Sequence, residues 1–159
     1  MSIERVRAYF RSYGIEDRIQ ELDHSSATVL LAAEALGTEP CRIAKTLSFL
    51  VNGSPILIVA AGDARIDNAK YKAFFGTKAK MLSPEEAVEL VGHAVGGVCP
   101  FAVNDSVTVY LDQSLRRFST VFPACGSANS AIELTIPELE QYSDCKEWVD
   151  VCKGWQPNE

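Results

Sequence analysis

The stretch Leu47-Ser48-Phe49-Leu50-Val51-Asn52-Gly53-Ser54-Pro55-Ile56-Leu57-Ile58-Val59-Ala60-Ala61 carries the clearest structural signal in the sequence. Two apolar runs, Leu47 to Val51 and Pro55 to Ala61, flank the tripeptide Asn52-Gly53-Ser54. An Asn-Gly pair between strand-like runs is the strongest short-range sign of a β-hairpin. Because both runs are apolar at nearly every position, we expect two central strands that are covered on both faces.

Helical patterns lie on both sides of this hairpin. Apolar residues from Ile3 to Tyr13 recur at helical spacing, and Ser25 or Ser26 is placed to cap a helix that Gly37 ends. A basic helix is predicted from Asp67 to Phe75. Two capping boxes, Ser83 with Glu86 and Thr135 with Glu138, predict helices that run to Val91 and to about Tyr142.

Several shorter segments have the character of strands. They are Ile19 to Leu22, Ala79 to Leu82, Val107 to Leu111 and Ala131 to Leu134, while Arg116 to Phe122 is ambiguous. Together these patterns predict an α/β fold of the α+β type, with a mixed, mostly antiparallel sheet surrounded by helices.

The length and composition indicate a single soluble domain over residues 1–159. Of the 159 residues, 47% are hydrophobic and 23% are charged, which is typical of a globular protein. No apolar run approaches the roughly 20 residues needed to span a bilayer, and the N-terminus lacks an apolar signal core. We therefore expect a cytoplasmic protein without a membrane partner.

The cysteine and histidine content argues against a metal centre. The five cysteines show no C-x-x-C spacing, and the chain has only two histidines. We interpret the cysteines as reduced thiols. Phosphate-loop and dinucleotide fingerprints are absent too, so no cofactor is predicted.

The charge is distributed unevenly along the chain. A net charge of −6 disfavours a generic nucleic-acid binder, and no DNA partner is expected. The stretch from Arg65 to Lys80 nevertheless carries five cations and one anion, whereas the segment from residue 133 to 159 carries seven anions and two cations. The basic stretch is either the solvated face of a helix or a surface that meets phosphates.

A glycine-rich loop, Gly92 to Phe101, lies in the middle of the chain. Its paired glycines, Gly96 and Gly97, allow backbone N–H groups to approach a carbonyl or phosphate oxygen closely. Cys99 with His93 as its base would form a thiol nucleophile, although no third group to orient the base is recognisable. The alternative is a tight turn between two elements.

Polar side chains at the ends of predicted strands are further candidates. Lys45 stands at the entrance of an apolar strand, so it either extends to the surface or points into a polar pocket. Asp63 and Asp112 follow strands and are either site residues or turn formers. Ser127 and Ser130 flank Asn129 in a polar loop and either line a pocket or cap a turn.

Four motifs, taken in order, resemble the YbaK/ProX family of aminoacyl-tRNA deacylases, which is related to the editing domain of bacterial prolyl-tRNA synthetases. They are Ile43-Ala44-Lys45-Thr46-Leu47, Ala61-Gly62-Asp63-Ala64-Arg65-Ile66-Asp67, Gly96-Gly97-Val98-Cys99-Pro100-Phe101 and Gly126-Ser127-Ala128-Asn129-Ser130-Ala131-Ile132-Glu133-Leu134. The resemblance covers about residues 20–142 and leaves 143–159 as an acidic C-terminal tail. It implies a compact α/β domain with a barrel-like sheet.

The resemblance also implies roles for individual residues. In the family, the lysine matching Lys45 holds the tRNA 3′ end through phosphate, and the loop matching Gly96 to Pro100 surrounds the aminoacyl ester. The catalytic set implied here is Lys45, Gly96, Gly97 and Asp112, and the substrate-binding set is Thr46, Asp63, Arg65, His93, Val98, Cys99, Pro100 and Ser127. Lys70, Lys72, Lys78 and Lys80 are the candidates for binding tRNA. Ala102 stands where the family loop usually has glycine.

The function implied is hydrolysis of the ester that links a wrong small amino acid to tRNA, with tRNA for proline as the first candidate. Alanine, cysteine and serine all remain open as the amino acid removed, with alanine slightly favoured. Prolyl-tRNA synthetase is a second candidate partner, beside the tRNA. A tRNA- or synthetase-binding module without catalytic activity is the main alternative, and a cysteine hydrolase that uses Cys99 and His93 is another.

Overall fold

The computed structural model describes residues 2–156. Its five α-helices are α1 (Ser2–Arg11), α2 (Val29–Leu36), α3 (Asn68–Phe75), α4 (Pro84–Glu86) and α5 (Ile136–Ser143). A π-helical turn, Ala87–Val91, continues α4, and 3-10 helices cover Glu16–Arg18, Pro40–Arg42 and Gln113–Arg117. The strands are β1 (Gln20–Glu21), β2 (Ile43–Val51), β3 (Ser54–Ala61), β4 (Arg65–Ile66), β5 (Thr108–Asp112), β6 (Thr120–Pro123), β7 (Ser130–Ala131), β8 (Leu134–Thr135), β9 (Glu147–Val149) and β10 (Cys152–Lys153).

The predicted hairpin is confirmed and forms the centre of the structure. Strands β2 and β3 pair antiparallel from Val51 opposite Ser54 to Ala44 opposite Ala61. Asn52 and Gly53 both have positive φ, at 50° and 84°, which is the combination that a two-residue type I′ turn requires. Strand β2 begins at Ile43, four residues before the predicted start at Leu47, so Lys45 lies inside the strand.

The largest sheet has the strand order β8-β6-β2-β3-β5-β9 and curls into a half-barrel. Its two central strands come from the hairpin, and every residue of β3 after Ser54 is buried. The pairings β2–β6, β3–β5 and β5–β9 are parallel, while β2–β3 and β6–β8 are antiparallel. Two small antiparallel pairs, β1–β7 and β4–β10, complete a mixed fold, as predicted.

The helix ends follow the predicted capping chemistry, with one correction. Both capping boxes are formed, one by Ser83 with Glu86 and the other by Thr135 with Glu138. Helix α2, however, is capped by Thr28, whose Oγ1 accepts a hydrogen bond from Leu31 N, and not by Ser25 or Ser26. The three polar residues have similar capping preferences, so the sequence alone did not separate them.

Two predicted short strands also differ from the structure. The segment Ala79 to Leu82 is not a regular strand and makes a single bridge, between Met81 and Phe49. The segment Ala131 to Leu134 is divided between β7, which pairs with β1, and β8, which pairs with β6. In both segments the strand assignment depends on pairing with residues that are distant in sequence, and a local pattern does not specify such pairing.

The acidic C-terminal tail, for which no strand was predicted, adds two strands to the fold. Strand β9 pairs in parallel with β5 at the edge of the large sheet, and β10 pairs with β4. These strands are three and two residues long, too short to show a period in the sequence. The last part of the predicted tail, residues 157–159, lies outside the described residues. None of the helices within residues 2–156 combines the length and the apolar character needed to cross a bilayer.

Candidate active site

A cavity of about 290 Å³ lies beside the first half of β2. The start of helix α2, the glycine-rich loop, strand β7 and residues 81–82 form its other walls. The lining is mostly apolar, and among the described residues Lys45 is its one charged side chain. Lys45 is therefore the one residue of this wall that carries a charge, and its Nζ lies near Gly62, which is outside the lining.

Lys45 lies half-buried on β2, and its Nζ is 3.5 Å from the backbone oxygen of Gly62. Within residues 2–156 no carboxylate is close enough to form an ion pair with it. Burial lowers the pKa of the Lys45 ammonium from its usual value, and the nearby Cys152 and Asp63 oppose that shift. Because the ammonium is partly desolvated and has only a carbonyl as partner, it is suited to hold an external anion.

Thr46 and Ser48 are hydroxyl residues on β2 that also line the cavity. The Oγ1 atom of Thr46 is buried and has no hydrogen-bond partner among the described residues. A buried hydroxyl without a partner is costly, so Thr46 is a candidate for hydrogen bonding to a bound ligand. The sequence had indicated Thr46 and had not indicated Ser48.

The glycine loop reaches the cavity through Val95, Gly96 and Val98. Gly96 has φ of 96°, and the structure gives no partner within residues 2–156 for the N–H groups of Gly96 and Val98. Gly97 differs, because its N–H donates to Ala94 O at 3.0 Å and the residue does not line the cavity. A Cβ atom at Gly97 would come within 2.6 Å of Ser127 N, so this position requires glycine for close backbone packing.

Cys99 and His93 lie behind the cavity wall and do not form a nucleophilic pair. Both are fully buried, and burial raises the pKa of the Cys99 thiol to about 12. The His93 Nε2 atom lies 2.7 Å from Phe101 O and 3.6 Å from Cys99 Sγ. Because a carbonyl only accepts, this nitrogen carries the proton and cannot act as a base toward the thiol. Pro100 is buried beside them and is absent from the cavity lining as well.

Ser130 lines the cavity, whereas Ser127 supports it from behind. The two hydroxyl oxygens are 2.6 Å apart, and the Ser127 hydroxyl donates to Asn129 Oδ1 at 3.0 Å. The loop is held against the segment before α2 by hydrogen bonds from Leu22 N to Asn129 O and from Ser26 N to Ala128 O. The predicted polar loop thus reaches the site through Ser130.

Asp112 is completely buried and does not line the cavity. Its carboxylate accepts hydrogen bonds from Ser114 N at 2.9 Å and from Val151 N at 3.0 Å. The first bond caps a 3-10 helix, and the second fastens the C-terminal segment to the end of β5. This geometry supports a structural role for Asp112 in place of the catalytic role that the resemblance implied.

We expect Asp112→Asn to lower the free energy of unfolding by about 2 kcal/mol, because an amide offers one acceptor oxygen where the carboxylate offers two. Urea unfolding measured beside wild type checks this value, with the exposed Asp105→Asn as the matched control. If the stability is unchanged and only activity is lost, the structural role is wrong.

Asp63 and Arg65 also lie away from the cavity. Asp63 forms a two-point ion pair with Arg117, whose NH1 is 2.9 Å from Oδ2. Arg65 belongs to β4 and pairs with Lys153 of β10. Strand β10 therefore lies beside Arg65, one of the residues for which the resemblance implied substrate binding.

The predicted tRNA-binding lysines separate into two groups. The Nζ of Lys70 lies 3.2 Å from both Asp150 Oδ1 and Cys152 O, so this lysine is engaged with the C-terminal segment. Lys72 is exposed on α3. Lys78 and Lys80 are exposed and immediately precede Met81 and Leu82, which line the cavity.

The start of α2 and the residues Met81, Leu82, Phe122 and Ala124 line the cavity without having been indicated by the sequence. Most of them are apolar, and apolar residues in helices and strands carry no signal that separates a cavity wall from a core. Two polar residues before α2, Ser26 and Thr28, also belong to this wall. The sequence indicated Ser26 only as a candidate helix cap and did not indicate Thr28.

Ala102 occupies a backbone conformation that favours glycine, with φ of 52°. Ala102 does not line the cavity, so alanine in place of the family glycine changes the strain of the backbone and not the cavity wall. We expect Ala102→Gly to stabilise the protein by about 0.5–1 kcal/mol. Glycine relieves the strain that alanine has in the left-handed conformation, and this gain exceeds the cost of the greater conformational entropy of glycine in the unfolded chain. Thermal unfolding measures the effect, and a lower stability of the variant would contradict it.

Residues 23–142 match the family model of the aminoacyl-tRNA editing domain. A curated relative from Bacillus subtilis strain 168, the uncharacterized protein YwhH, is 56% identical over 157 residues, which cover 98% of this chain and 100% of the relative.

Two further comparisons involve prolyl-tRNA synthetases. A proline–tRNA ligase of Lactiplantibacillus plantarum is 27% identical over 120 residues, which cover 75% of this chain and 21% of the ligase. The crystal structure of a proposed trans-editing enzyme for prolyl tRNA synthetase superposes with a TM-score of 0.86 at 30% identity, covering 96% of this chain and 98% of that one.

Proposed function

The chain belongs to the aminoacyl-tRNA editing domain family, and on this basis we propose that it is a trans-editing deacylase. Its substrate is a tRNA for proline that carries a small wrong amino acid, and the ester to the terminal ribose is hydrolysed. The observation that carries the proposal is the half-buried Lys45 ammonium, which has no carboxylate partner within residues 2–156 and borders a cavity of about 290 Å³. Similarity to a proposed trans-editing enzyme and to proline–tRNA ligases supports the choice of tRNA.

The proposed mechanism needs positioning more than a nucleophilic side chain. Lys45 holds a phosphate of the tRNA 3′ end, so that the aminoacyl group enters the cavity. An activated ester then needs an attacking water and donors for the oxyanion that develops on its carbonyl oxygen. We assign the oxyanion contact to the N–H groups of Gly96 and Val98, which have no partner in the described part of the chain. A hydroxyl of the substrate ribose orients the water.

The small apolar cavity is the proposed basis of substrate choice. An aliphatic wall accepts alanine, serine or cysteine and discriminates weakly among them, since one added group changes binding modestly. A cavity of about 290 Å³ is larger than the side chain of proline, so rejection of proline depends on the shape of the wall and not on volume alone.

The experiment that tests this function is hydrolysis of tRNA for proline charged with alanine, cysteine, serine or proline. Release of one or more small amino acids well above the rate in buffer, with proline retained, is the expected result. If no ester is hydrolysed although the tRNA binds, the protein is the binding module without catalytic activity.

We propose that Lys78 and Lys80 contact the acceptor end of the tRNA, because they adjoin the cavity rim. Charge reversal of both lysines to glutamate should weaken tRNA binding, and the slope of log K against log salt should fall by about 0.7 for each phosphate that the variant no longer binds. Fluorescence titration at several salt concentrations measures both quantities. Reversal of the exposed Lys146, which lies in the acidic segment, is the matched control. An unchanged slope in the double variant would exclude this surface from tRNA binding.

A further inference from the structure

We propose that Ser130 recognises the α-ammonium group of the amino acid that is removed. The inference rests on the proposed function and adds to it a residue that distinguishes an aminoacyl ester from other acyl esters. Ser130 is 1% exposed and lines the cavity on the side of β7.

The direction of the hydrogen bonds behind Ser130 can be deduced. Asn129 Nδ2 donates to Leu22 O at 3.2 Å, which turns the Asn129 amide oxygen toward Ser127. The Ser127 hydroxyl donates its one proton to that oxygen at 3.0 Å. The contact of 2.6 Å between the Ser127 and Ser130 oxygens is then a hydrogen bond only if Ser130 is the donor.

Ser130 consequently keeps only lone pairs for a ligand. Its proton is committed inside the protein, so its oxygen accepts hydrogen bonds in the cavity and does not donate them. Thr28 is instead suited to donate, because its Oγ1 already accepts a hydrogen bond from Leu31 N at 3.2 Å and keeps its own proton for a ligand. Thr46 Oγ1 has no partner among the described residues and can turn in either sense.

A fixed acceptor matches the chemistry of an aminoacyl ester. Such an ester carries an ammonium group, which has three donors and no acceptor. The cavity lining within residues 2–156 contains no carboxylate, and its one charge is the cation of Lys45. An ammonium group entering this cavity therefore depends on neutral acceptors. Two lining hydroxyls have their protons engaged inside the protein, that of Ser26 with Ala128 O at 3.3 Å and that of Ser130 with Ser127 Oγ at 2.6 Å. Ser130 makes the shorter bond and is the more deeply buried of the two, so it is the more firmly held acceptor.

The test compares two esters of tRNA for proline, the alanyl ester and the propionyl ester, which lacks only the amino group. Each rate for a variant is divided by the wild-type rate for the same ester, so that the intrinsic reactivity of the ester cancels. For Ser130→Ala we expect the alanyl rate to fall about 10- to 100-fold, which is the usual effect of losing a hydrogen bond to a charged group. The propionyl rate should stay within about twofold of wild type.

Two further variants complete the design. Ser127→Ala frees the Ser130 proton to turn toward the cavity, so an intermediate loss confined to the alanyl ester is expected. The exposed Ser12→Ala should change neither rate. Thermal unfolding of each variant, and assays well below its midpoint, separate loss of folding from loss of recognition.

The outcomes distinguish this inference from the proposed function. Equal losses on both esters in Ser130→Ala, or no loss on either, would overturn the role of Ser130 while leaving deacylation in place. If wild type hydrolyses neither ester faster than buffer, the deacylase function itself fails. A loss confined to the alanyl ester supports both.

Discussion

Replacement of Lys45 by alanine is expected to lower deacylation of alanyl-tRNA for proline by about 10- to 100-fold or more, since the variant cannot make a charge-assisted hydrogen bond to phosphate. The ammonium of Lys45 is the one charge in the described cavity lining, and it lies 3.5 Å from a carbonyl oxygen. Lys45 forms no ion pair within residues 2–156, so its removal deprives no carboxylate of a partner, and the fold should tolerate the change. Single-turnover hydrolysis, with the protein in excess over charged tRNA, measures the effect.

The control for Lys45→Ala is Lys146→Ala, which removes an equal charge from an exposed position. It should leave hydrolysis within about twofold of wild type, as expected for a surface charge distant from the reaction. Lys45→Arg keeps the charge but changes its shape, so partial activity is expected. Full activity of Lys45→Ala would show that the cavity works without its cation and would contradict the proposed anchoring of phosphate.

Gly97→Ala is expected to abolish activity and to lower the free energy of unfolding by about 1–3 kcal/mol, the usual range for inserting a methyl group into a packed site. The added Cβ would lie 2.6 Å from Ser127 N and 2.7 Å from Gly126 C. Both are backbone atoms, so the glycine loop and the loop that carries Ser130 must separate. Because Gly96 and Ser130 both line the cavity, that separation removes the proposed site. Hydrolysis and urea unfolding are measured on the same sample.

Gly14→Ala is the matched control for Gly97→Ala. Gly14 has φ of 75°, and no atom lies within 4 Å of the position that a Cβ would take, so alanine there adds backbone strain without a clash. We expect a decrease of about 1 kcal/mol in stability with activity retained. If Gly97→Ala is as stable and active as wild type, the two loops are not in the close contact that the structure gives them.

The fold was predicted well where the signals are local. The Asn52-Gly53 turn, the capping boxes at Ser83 and Thr135, and Gly37, which ends α2, each act over a few residues, and each is found as predicted. The parallel pairings of β5 with β3 and of β9 with β5 join segments that are distant in sequence. No local pattern specifies such partners, and the C-terminal strands were missed for that reason.

The site was predicted in part. Lys45, Thr46, Gly96 and Val98 all line the cavity, since β2 and the glycine loop meet there. Asp112 lies outside the cavity lining, and an aspartate after a strand has the same appearance in sequence whether it faces a ligand or caps a turn. Its two backbone partners, Ser114 N and Val151 N, favour the structural role, and Val151 is distant in the chain.

The thiol hypothesis illustrates the same limit. A cysteine six residues from a histidine is compatible with a nucleophile and its base. In the structure the pair is close, yet both residues are fully buried and the histidine Nε2 lies against Phe101 O. Burial and the direction of the His93 hydrogen bond determine whether the thiol can act as a nucleophile. The six-residue spacing between His93 and Cys99 reveals neither of them.

The decisive experiment for the proposed editing site follows the first-order release of alanine from alanyl-tRNA for proline beside the release of proline from the correctly charged tRNA. We expect rapid release of alanine by the wild-type protein, with prolyl-tRNA decaying as in buffer alone. Equal decay of both esters at the buffer rate would contradict the proposal that this cavity is an editing site.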